Sequence, residues 1–515
     1  MRLTLGTLLE SSARRYPDKP ALRAAGVELD YAQLHAAARR AAQVLADAGI
    51  GRGDRVALMC FNTPGFVIAA FGAWRLGATV VPLNHKLAAP EVDYVLRHCK
   101  ADLVICDGTL ATLVGQVATV PLWTTDSTVD GLPDFDARVV AADEFDADLA
   151  QEDDLAEVLY TSGTTGKPKG CMHDHRGLSL VAAYSSAVVP MRHDDRSLIA
   201  MPIWHASPLN NWLLGGLFIG ATMVLLREYH PRAFLQTIQD ERITLYFGAP
   251  VSFLAPLQLV EDFSAFDLTS IRAFIYGAGP IGAQTARMLQ NAYRCDDFFQ
   301  VYGMTETGPS GTILYPEEQI ERAGSCGRST LPGIDRRVVR ADGGEAGPGE
   351  VGEVWFRAVT MMRGYLDDPD ATAAAFEGQW YKTGDLVRLD EAGYATIVDR
   401  ISDLIITGGE NVHSKEVEDV LMTHPAMADV AVVGQPHAEW GETIIAFATL
   451  KPGTTLDIDA LRDWAGSRLA RYKLPRVLHL RDALPRTPSG KVMKHVLRQQ
   501  LGATPAATPD IQESP

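Results

Sequence analysis

Residues 160–170 read Tyr160-Thr-Ser-Gly-Thr-Thr-Gly-Lys-Pro-Lys-Gly170, directly after the strand-like run Ala156-Glu-Val-Leu159. Glycines 163, 166 and 170 free the backbone to turn its N–H groups inward. Thr161, Ser162, Thr164 and Thr165 add hydroxyl donors, and Lys167 and Lys169 add positive charge. A loop so built would hold a polyphosphate. It is not a Walker A loop, because only two residues separate Gly163 from Gly166 and Pro168 follows the lysine where a helix should begin with Ser or Thr. A plain hairpin loop draws on the same residue types, but eleven of them in this order are far more specific than a turn requires.

Outward from this loop, helical stretches such as 31–49 alternate with short β-branched runs: RVALMC (55–60), ATVVPL (78–83) and ADLVICD (101–107). That rhythm predicts α/β layers with mostly parallel strands. It recurs at ATMVLL (221–226), ITLYFGAP (243–250) and IRAFIYGAGP (271–280), the last two ending in Gly and Pro, where open α/β sheets place their ligands. Between about 328 and 399 the texture changes to short strands and turns around DGGEAGPGE (342–350), which predicts a small β-rich subdomain. A compact α+β unit is expected over 404–500, and a Pro/Ala/Thr-rich disordered tail over 501–515.

The chain has 515 residues, too many for one core, with 47% apolar and 22% charged residues and a net charge of −17. That charge argues against nucleic acid or an anionic membrane as partner. The segment from Leu461 to Arg498 has the opposite sign, with ten Lys/Arg against two acids. The six cysteines form no CxxC pair, so neither a disulfide framework nor a zinc site is expected, and a reducing cytoplasm fits best. No signal peptide is legible, and the longest uncharged apolar run, Trp212 to Leu226, is 15 residues. A spanning helix needs roughly 20, so no integral membrane association is expected and the run reads as buried helix plus strand.

The loop at 160–170 resembles the phosphate loop of the adenylate-forming superfamily, which contains acyl- and aryl-CoA ligases, luciferases and peptide-synthetase adenylation domains. Further matching motifs extend in the family's order to about Arg498. The resemblance implies a large N-terminal domain of stacked α/β layers plus a small β-barrel (1–399), a hinge (400–403) and a small mobile C-terminal domain (404–500), with the active site in the cleft between. It implies ATP, Mg²⁺ and, on the ligase branch, coenzyme A. Tyr302-Gly303-Met304-Thr305-Glu306 resembles the motif whose aromatic ring stacks on adenine, whose Thr contacts the α-phosphate and whose Glu holds Mg²⁺. Gly277-Ala278-Gly279-Pro280 resembles the turn against adenine. Asp385 matches the carboxylate that accepts the ribose hydroxyls, and Arg400 the arginine that supports ribose and phosphate. Ile397, three residues before it, is expected to be a further nucleotide contact. Lys491 matches the catalytic lysine. A carboxylate attacking the α-phosphate meets another anion, and a mobile ammonium between them neutralises both.

Met201-Pro-Ile-Trp-His-Ala-Ser207 aligns with the segment where amino-acid-activating members place an Asp against the substrate ammonium. His205 stands there instead, so an amino-acid substrate is not expected. His205 also resembles the His beside the carboxylate in acyl- and aryl-CoA ligases, with a satisfied structural histidine as its other reading. The expected acyl pocket, drawn from Trp204, Asn210, Asn211, Trp212, Phe247, Ala249, Phe253, Tyr276, Gly277 and Gly303, is mostly apolar, so the acid should have an uncharged fatty or aryl tail. Gly408, Gly409 and Trp440 resemble residues lining the pantetheine tunnel, and Arg471, Lys473 and Arg476 are candidates for the phosphates of CoA. The same tunnel would admit the phosphopantetheine arm of a carrier protein. A catalytically dead binding protein is disfavoured because Thr161, Glu306, Asp385, Arg400 and Lys491 are all present.

Overall fold

The computed structural model describes residues 2–161, 168–407, 410–437, 440–486 and 492–502. The β-branched runs become strands of two largely parallel sheets, one of seven strands and one of nine. In the first, Arg55–Met59, Thr79–Pro82, Leu103–Asp107 and Leu155–Thr161 run parallel, and Lys169–Asp174 returns antiparallel to Leu155–Thr161. In the second, Arg196–Ile199, Leu245–Gly248, Ala273–Tyr276 and Phe298–Met304 run parallel, and Ser310–Leu314 turns back antiparallel.

Alternation along the strands decides the layers. Phe247 and Ile275 enter a core shared with the helices Leu5–Arg15, Tyr31–Asp47, Pro64–Leu76 and His175–Val188. Their neighbours Tyr246, Phe274 and Tyr276 enter a second, aromatic core under the helices Pro231–Asp240, Pro250–Leu259 and Ala283–Tyr293. A third cluster lies on the other side of the seven-stranded sheet, under Ala89–His98. The order is therefore helix, sheet, helix, sheet, helix. Polar groups trapped in these layers are tied locally: Trp74 Nε1 donates to the Ala156 carbonyl at 2.7 Å, and the Tyr31 hydroxyl to that of Ala221 at 2.6 Å.

The run from Trp212 to Leu226 forms the expected buried helix and strand, Leu214–Ile219 and Thr222–Leu225, but one segment starts earlier, as a π-helix over Ser207–Leu213. The β-rich region supplies a five-stranded antiparallel half-barrel, from Ile334–Val339 to Ala395–Arg400. It is stitched to both large sheets, because Ser329–Thr330 pairs with Ser310–Leu314 and Gly364–Tyr365 with Lys169–Asp174.

After the turn Ile401–Asp403 comes a small α+β domain. The helices Ser414–Met422, Ile458–Gly466 and Lys494–Gly502 accompany a second five-stranded sheet. The junction is tied on both sides. Asp399 accepts from the Ser414 backbone N–H (2.5 Å) and hydroxyl (3.0 Å), capping the first helix of the small domain, and Asp403 pairs with Arg498 at 2.8 Å.

Candidate active site

The C-terminal ends of the parallel strands and the mouth of the half-barrel converge on one region. Thr161 ends its strand opposite Lys169. The Lys169 ammonium lies 5.0 Å over the Tyr365 ring, and the Tyr94 hydroxyl, donating to the Pro168 carbonyl at 3.0 Å, anchors the loop's exit. Ser162, Gly163, Thr164, Thr165, Gly166 and Lys167 lie outside the described residues, as do Gly408, Gly409 and Lys491.

Tyr302 and Asp385, 83 residues apart, meet: the Tyr302 hydroxyl donates to Asp385 Oδ2 at 2.7 Å. Arg400 Nε stands 2.9 Å from Oδ1 of the same carboxylate, whose residue is only 3% exposed. Burial and the Asp385 charge raise the Tyr302 phenol far above its ordinary value, so it stays a donor. Ile397 sits on the Arg400 strand, half-buried and paired with Val387. Gly303 is forced by close approach, since a Cβ there would lie 2.9–3.0 Å from the Pro309 and Ser310 backbone. Ala278 holds φ at +65°, an unusual conformation for alanine, and with it the turn Gly277–Pro280 lies at the end of the strand Ala273–Tyr276.

Met304 closes the strand Phe298–Met304, and Thr305 and Glu306 open a 3₁₀ turn. Glu306 Oε1 accepts from the Tyr365 hydroxyl at 3.0 Å, and Tyr365 in turn bonds Tyr381. Oε2 has no protein partner among the described residues. No group of three or more His, Cys, Asp or Glu that could hold a metal occurs among them either. One free carboxylate oxygen near a phosphate loop fits Mg²⁺, which keeps most of its waters and takes one or two carboxylates alongside phosphates. Tyr365, Tyr381 and Asp399 were not foreseen as part of the site; Tyr381 and Asp399 open the segments that carry Asp385 and Arg400, whereas no local motif marks Tyr365.

On the acyl side, His205 lies against Trp204, ring centroids 3.8 Å apart, and Trp204 Nε1 donates to His85 at 3.1 Å. Burial, with His85 nearby, lowers the His205 imidazole to about 4, so it is neutral at pH 7. Its Nε2 is buried without a protein partner among the described residues. Trp212 stacks on Phe247 at 5.1 Å and, with residues such as Val189, Val301, Tyr302 and Ile313, lines a small cavity of about 20 Å³. Phe253 and Tyr276 do not join this wall. Both sit in the second core, where the Tyr276 hydroxyl bonds Gln319 at 2.7 Å. Behind the phosphate loop, fully buried Glu157 accepts from Asn210 at 2.9 Å, and burial pushes its carboxyl up to about 8.

In the small domain, Trp440 is half-exposed with the Arg476 guanidinium 4.6 Å over its ring. Arg471 is exposed on a 3₁₀ turn. Lys473, on the same turn, is engaged by Glu416 at 2.6 Å, so of the proposed phosphate contacts it is the one already neutralised.

A buried carboxylate braced by tyrosine and arginine, beside a glutamate that could take a metal, suits a nucleotide-dependent enzyme. The comparisons make the assignment specific. Residues 9–366 match the AMP-binding enzyme family and 416–491 the AMP-binding enzyme C-terminal domain. A long-chain-fatty-acid–CoA ligase, FadD13, of Mycobacterium tuberculosis is 35% identical over 93% of this chain and 94% of its own. A feruloyl-CoA synthase of an Amycolatopsis species is 34% identical over 97% and 99%. The ATP-bound crystal structure of MatB from Rhodopseudomonas palustris superposes with a TM-score of 0.87 at 30% identity, covering 98% of this chain and 99% of that one. The chain belongs to the AMP-binding enzyme family. It is an AMP-forming acid–thiol ligase that uses ATP, Mg²⁺ and coenzyme A. Among the described residues no helix is long and apolar enough to cross a membrane.

Proposed function

We propose that the acid carries an uncharged, largely apolar tail, and that the residues gathered above divide the work as follows. The observation that carries the reading is the aromatic and aliphatic wall around the cavity. No cation lines the cavity, and Arg227, just after the strand Thr222–Leu225, is committed to Asp107 at 2.8 Å and lies over the Phe61 ring. An anionic tail would therefore be buried without a counter-charge.

Asp385, held by Tyr302 and Arg400, accepts from the ribose hydroxyls. Thr161, Lys169 and the loop between them hold the phosphates, with Glu306 on Mg²⁺, which screens their charge when bound. Neutral His205 offers Nε2 to the substrate carboxylate. One carboxylate oxygen attacks the α-phosphorus, the bond to the bridging oxygen of pyrophosphate breaks, and Lys491 neutralises the charge that accumulates. The C-terminal domain then turns about residues 400–403. The CoA thiol, losing its proton, attacks the acyl carbon through the tunnel at Gly408, Gly409 and Trp440, and AMP leaves. The pairs Arg400–Asp385 and Asp403–Arg498, one on each side of the turn, support a pivot there, because each ties one flank to its own domain. Six free, buried thiols suit a reducing compartment such as the cytoplasm.

The test is AMP release and thioester formation with ATP, CoA and a panel of aryl, fatty and dicarboxylic acids. Aryl or fatty acids should give both products, and dicarboxylates neither. AMP production without a CoA thioester would point to a carrier-protein acceptor. No AMP with any acid would reduce the chain to a binding protein.

A further inference from the structure

A short strand joins two parts of the candidate site that lie far apart in sequence. Gly364–Tyr365 pairs with Lys169–Asp174, the strand that leaves the phosphate loop, with Tyr365 opposite Cys171, and the Leu366 N–H donates to the Gly170 carbonyl at 2.8 Å. Just before it, the Met362 N–H donates to the Glu306 carbonyl at 2.9 Å. The Tyr365 backbone is itself pinned, its N–H donating to Thr372 Oγ1 at 2.9 Å. The side chain of this residue, 8% exposed, then reaches both parts at once. Its hydroxyl donates to Glu306 Oε1 at 3.0 Å, and the Lys169 ammonium lies 5.0 Å from the centre of its ring. Among the described residues neither Glu306 nor Lys169 has an ion-pair partner, and they do not pair with each other.

Both charges have to stay unspent if a metal and a phosphate are to use them. A lysine or arginine on Glu306 would orient the carboxylate but cancel its charge, which is what Glu416 does to Lys473 in the small domain. A phenol orients one carboxylate oxygen by a hydrogen bond and brings no charge of its own. An aromatic face likewise holds an ammonium without neutralising it. We propose that Tyr365 is the positioning residue for Glu306: its hydroxyl fixes the carboxylate by Oε1 and leaves Oε2 for Mg²⁺. The inference rests on the reading that Glu306 takes the metal. Tyr381, bonded to Tyr365 and packed with it against Cys171 and Met362, holds the phenol in place. The competing account is a packed tyrosine whose hydroxyl has merely found an acceptor. It predicts lost stability with no change in metal dependence.

The experiment titrates the full chain with α,β-methylene-ATP, which cannot be split at the bond that adenylation breaks, by calorimetry in EDTA and again in excess Mg²⁺, with no acid present. The ratio of the two dissociation constants is the gain due to the metal. Tyr365→Phe keeps the ring, and with it the seat of Lys169, and removes only the hydroxyl. It should cut the gain by about fivefold or more, as loss of a partner that orients a metal ligand does, and leave the constant in EDTA within about twofold of wild type. Glu306→Gln should abolish the gain. Adding Tyr365→Phe to Glu306→Gln should then change it by less than about twofold, because the hydroxyl acts only through the carboxylate. Melting temperatures of all variants show that they are folded. A wild-type gain in Tyr365→Phe overturns the proposal, and so does an equal loss in EDTA and in Mg²⁺, the pattern of a packing role. In either case a gain abolished by Glu306→Gln leaves the metal reading of Glu306 standing. If Glu306→Gln keeps the whole gain, or the wild type shows none, that reading fails and the inference falls with it.

Discussion

Around Asp385 every carboxylate oxygen already has a protein partner: Tyr302 on one side and Arg400 on the other, with the whole group almost sealed from solvent. On the acyl side the reverse holds, for Asn211 Oδ1 and His205 Nε2 are both buried with no partner among the described residues. Pre-wired dipoles cost no reorganisation when a ligand arrives, and they suit a nucleotide that is the same in every turnover. Unpaired groups make the empty chamber less comfortable than the filled one, so they convert the presence or absence of one substrate atom into selectivity. The difference assigns rate to the nucleotide half and choice of acid to the acyl half.

The largest test of that division is Lys491→Ala. Its ammonium is proposed to act only where carboxylate meets phosphate, so adenylate formation should fall by roughly three powers of ten or more. Conversion of a supplied acyl adenylate to thioester should stay within about threefold of wild type. Pyrophosphate exchange reports the first step and thioester absorbance the second. Equal losses in both would indicate a disrupted C-terminal domain, and a changed ranking of acids in the residual activity would break the division of labour.

Asp385→Asn is the next in size. It removes a charge from a buried network and leaves Arg400 facing a neutral amide, so kcat/KM for ATP should drop about 100-fold, in the range for one lost charged hydrogen-bond partner. The ratio of kcat/KM between any two acids should be unchanged. A shift in acid preference larger than about twofold would mean that Tyr302, which touches both Asp385 and the cavity, carries information between the halves.

The two halves were not equally legible beforehand. Strands and motifs follow from local patterns, so the α/β layers and the half-barrel could be placed from the chain alone, and Asp385 and Glu306 could be proposed as site residues. Contacts across long separations leave no such trace: nothing near Glu306 announces Tyr365, 59 residues on. Within the acyl half, neighbours in sequence were wrongly grouped. Phe253 and Tyr276 were expected in the pocket with Phe247, but strand alternation turns Tyr276 to the opposite face, into the other core, which Phe253 joins from the helix Pro250–Leu259. The π-helix at Ser207–Leu213 was also invisible. An α-helix there would space its side chains differently, and it is the π turn that buries Asn210 and Asn211 side by side, one on Glu157 and one on Ser185.

Glu157 underlies both halves, on the strand that ends in the phosphate loop and bonded to the π-helix of the acyl chamber, and it gives the smallest and most pH-dependent prediction. Its carboxyl titrates near 8 in the folded protein against an ordinary 4.5, because burial outweighs the Asn210 hydrogen bond. A carboxyl raised by folding contributes stability that is fully present below 4.5 and lost as pH rises through 8, since the unfolded chain releases the proton first. Glutamine has the shape of the protonated acid and does not titrate. Glu157→Gln should therefore match wild type near pH 5 and melt at higher temperature near pH 8.5, by roughly 3 °C or more for a chain of this size, with activity at pH 7 within about twofold. The acid limb should be common to both proteins. Burial lowers His85, His173, His175 and His205 to about 4, so their contribution is lost as pH falls from 6.5 towards 4. Melting curves from pH 5 to 9 separate the two effects. A gap between variant and wild type that does not widen with pH would mean that Glu157 is already ionised in the folded protein. Asn210 would then be holding an anion beneath the phosphate loop, and the acyl half would be as electrostatically committed as the nucleotide half.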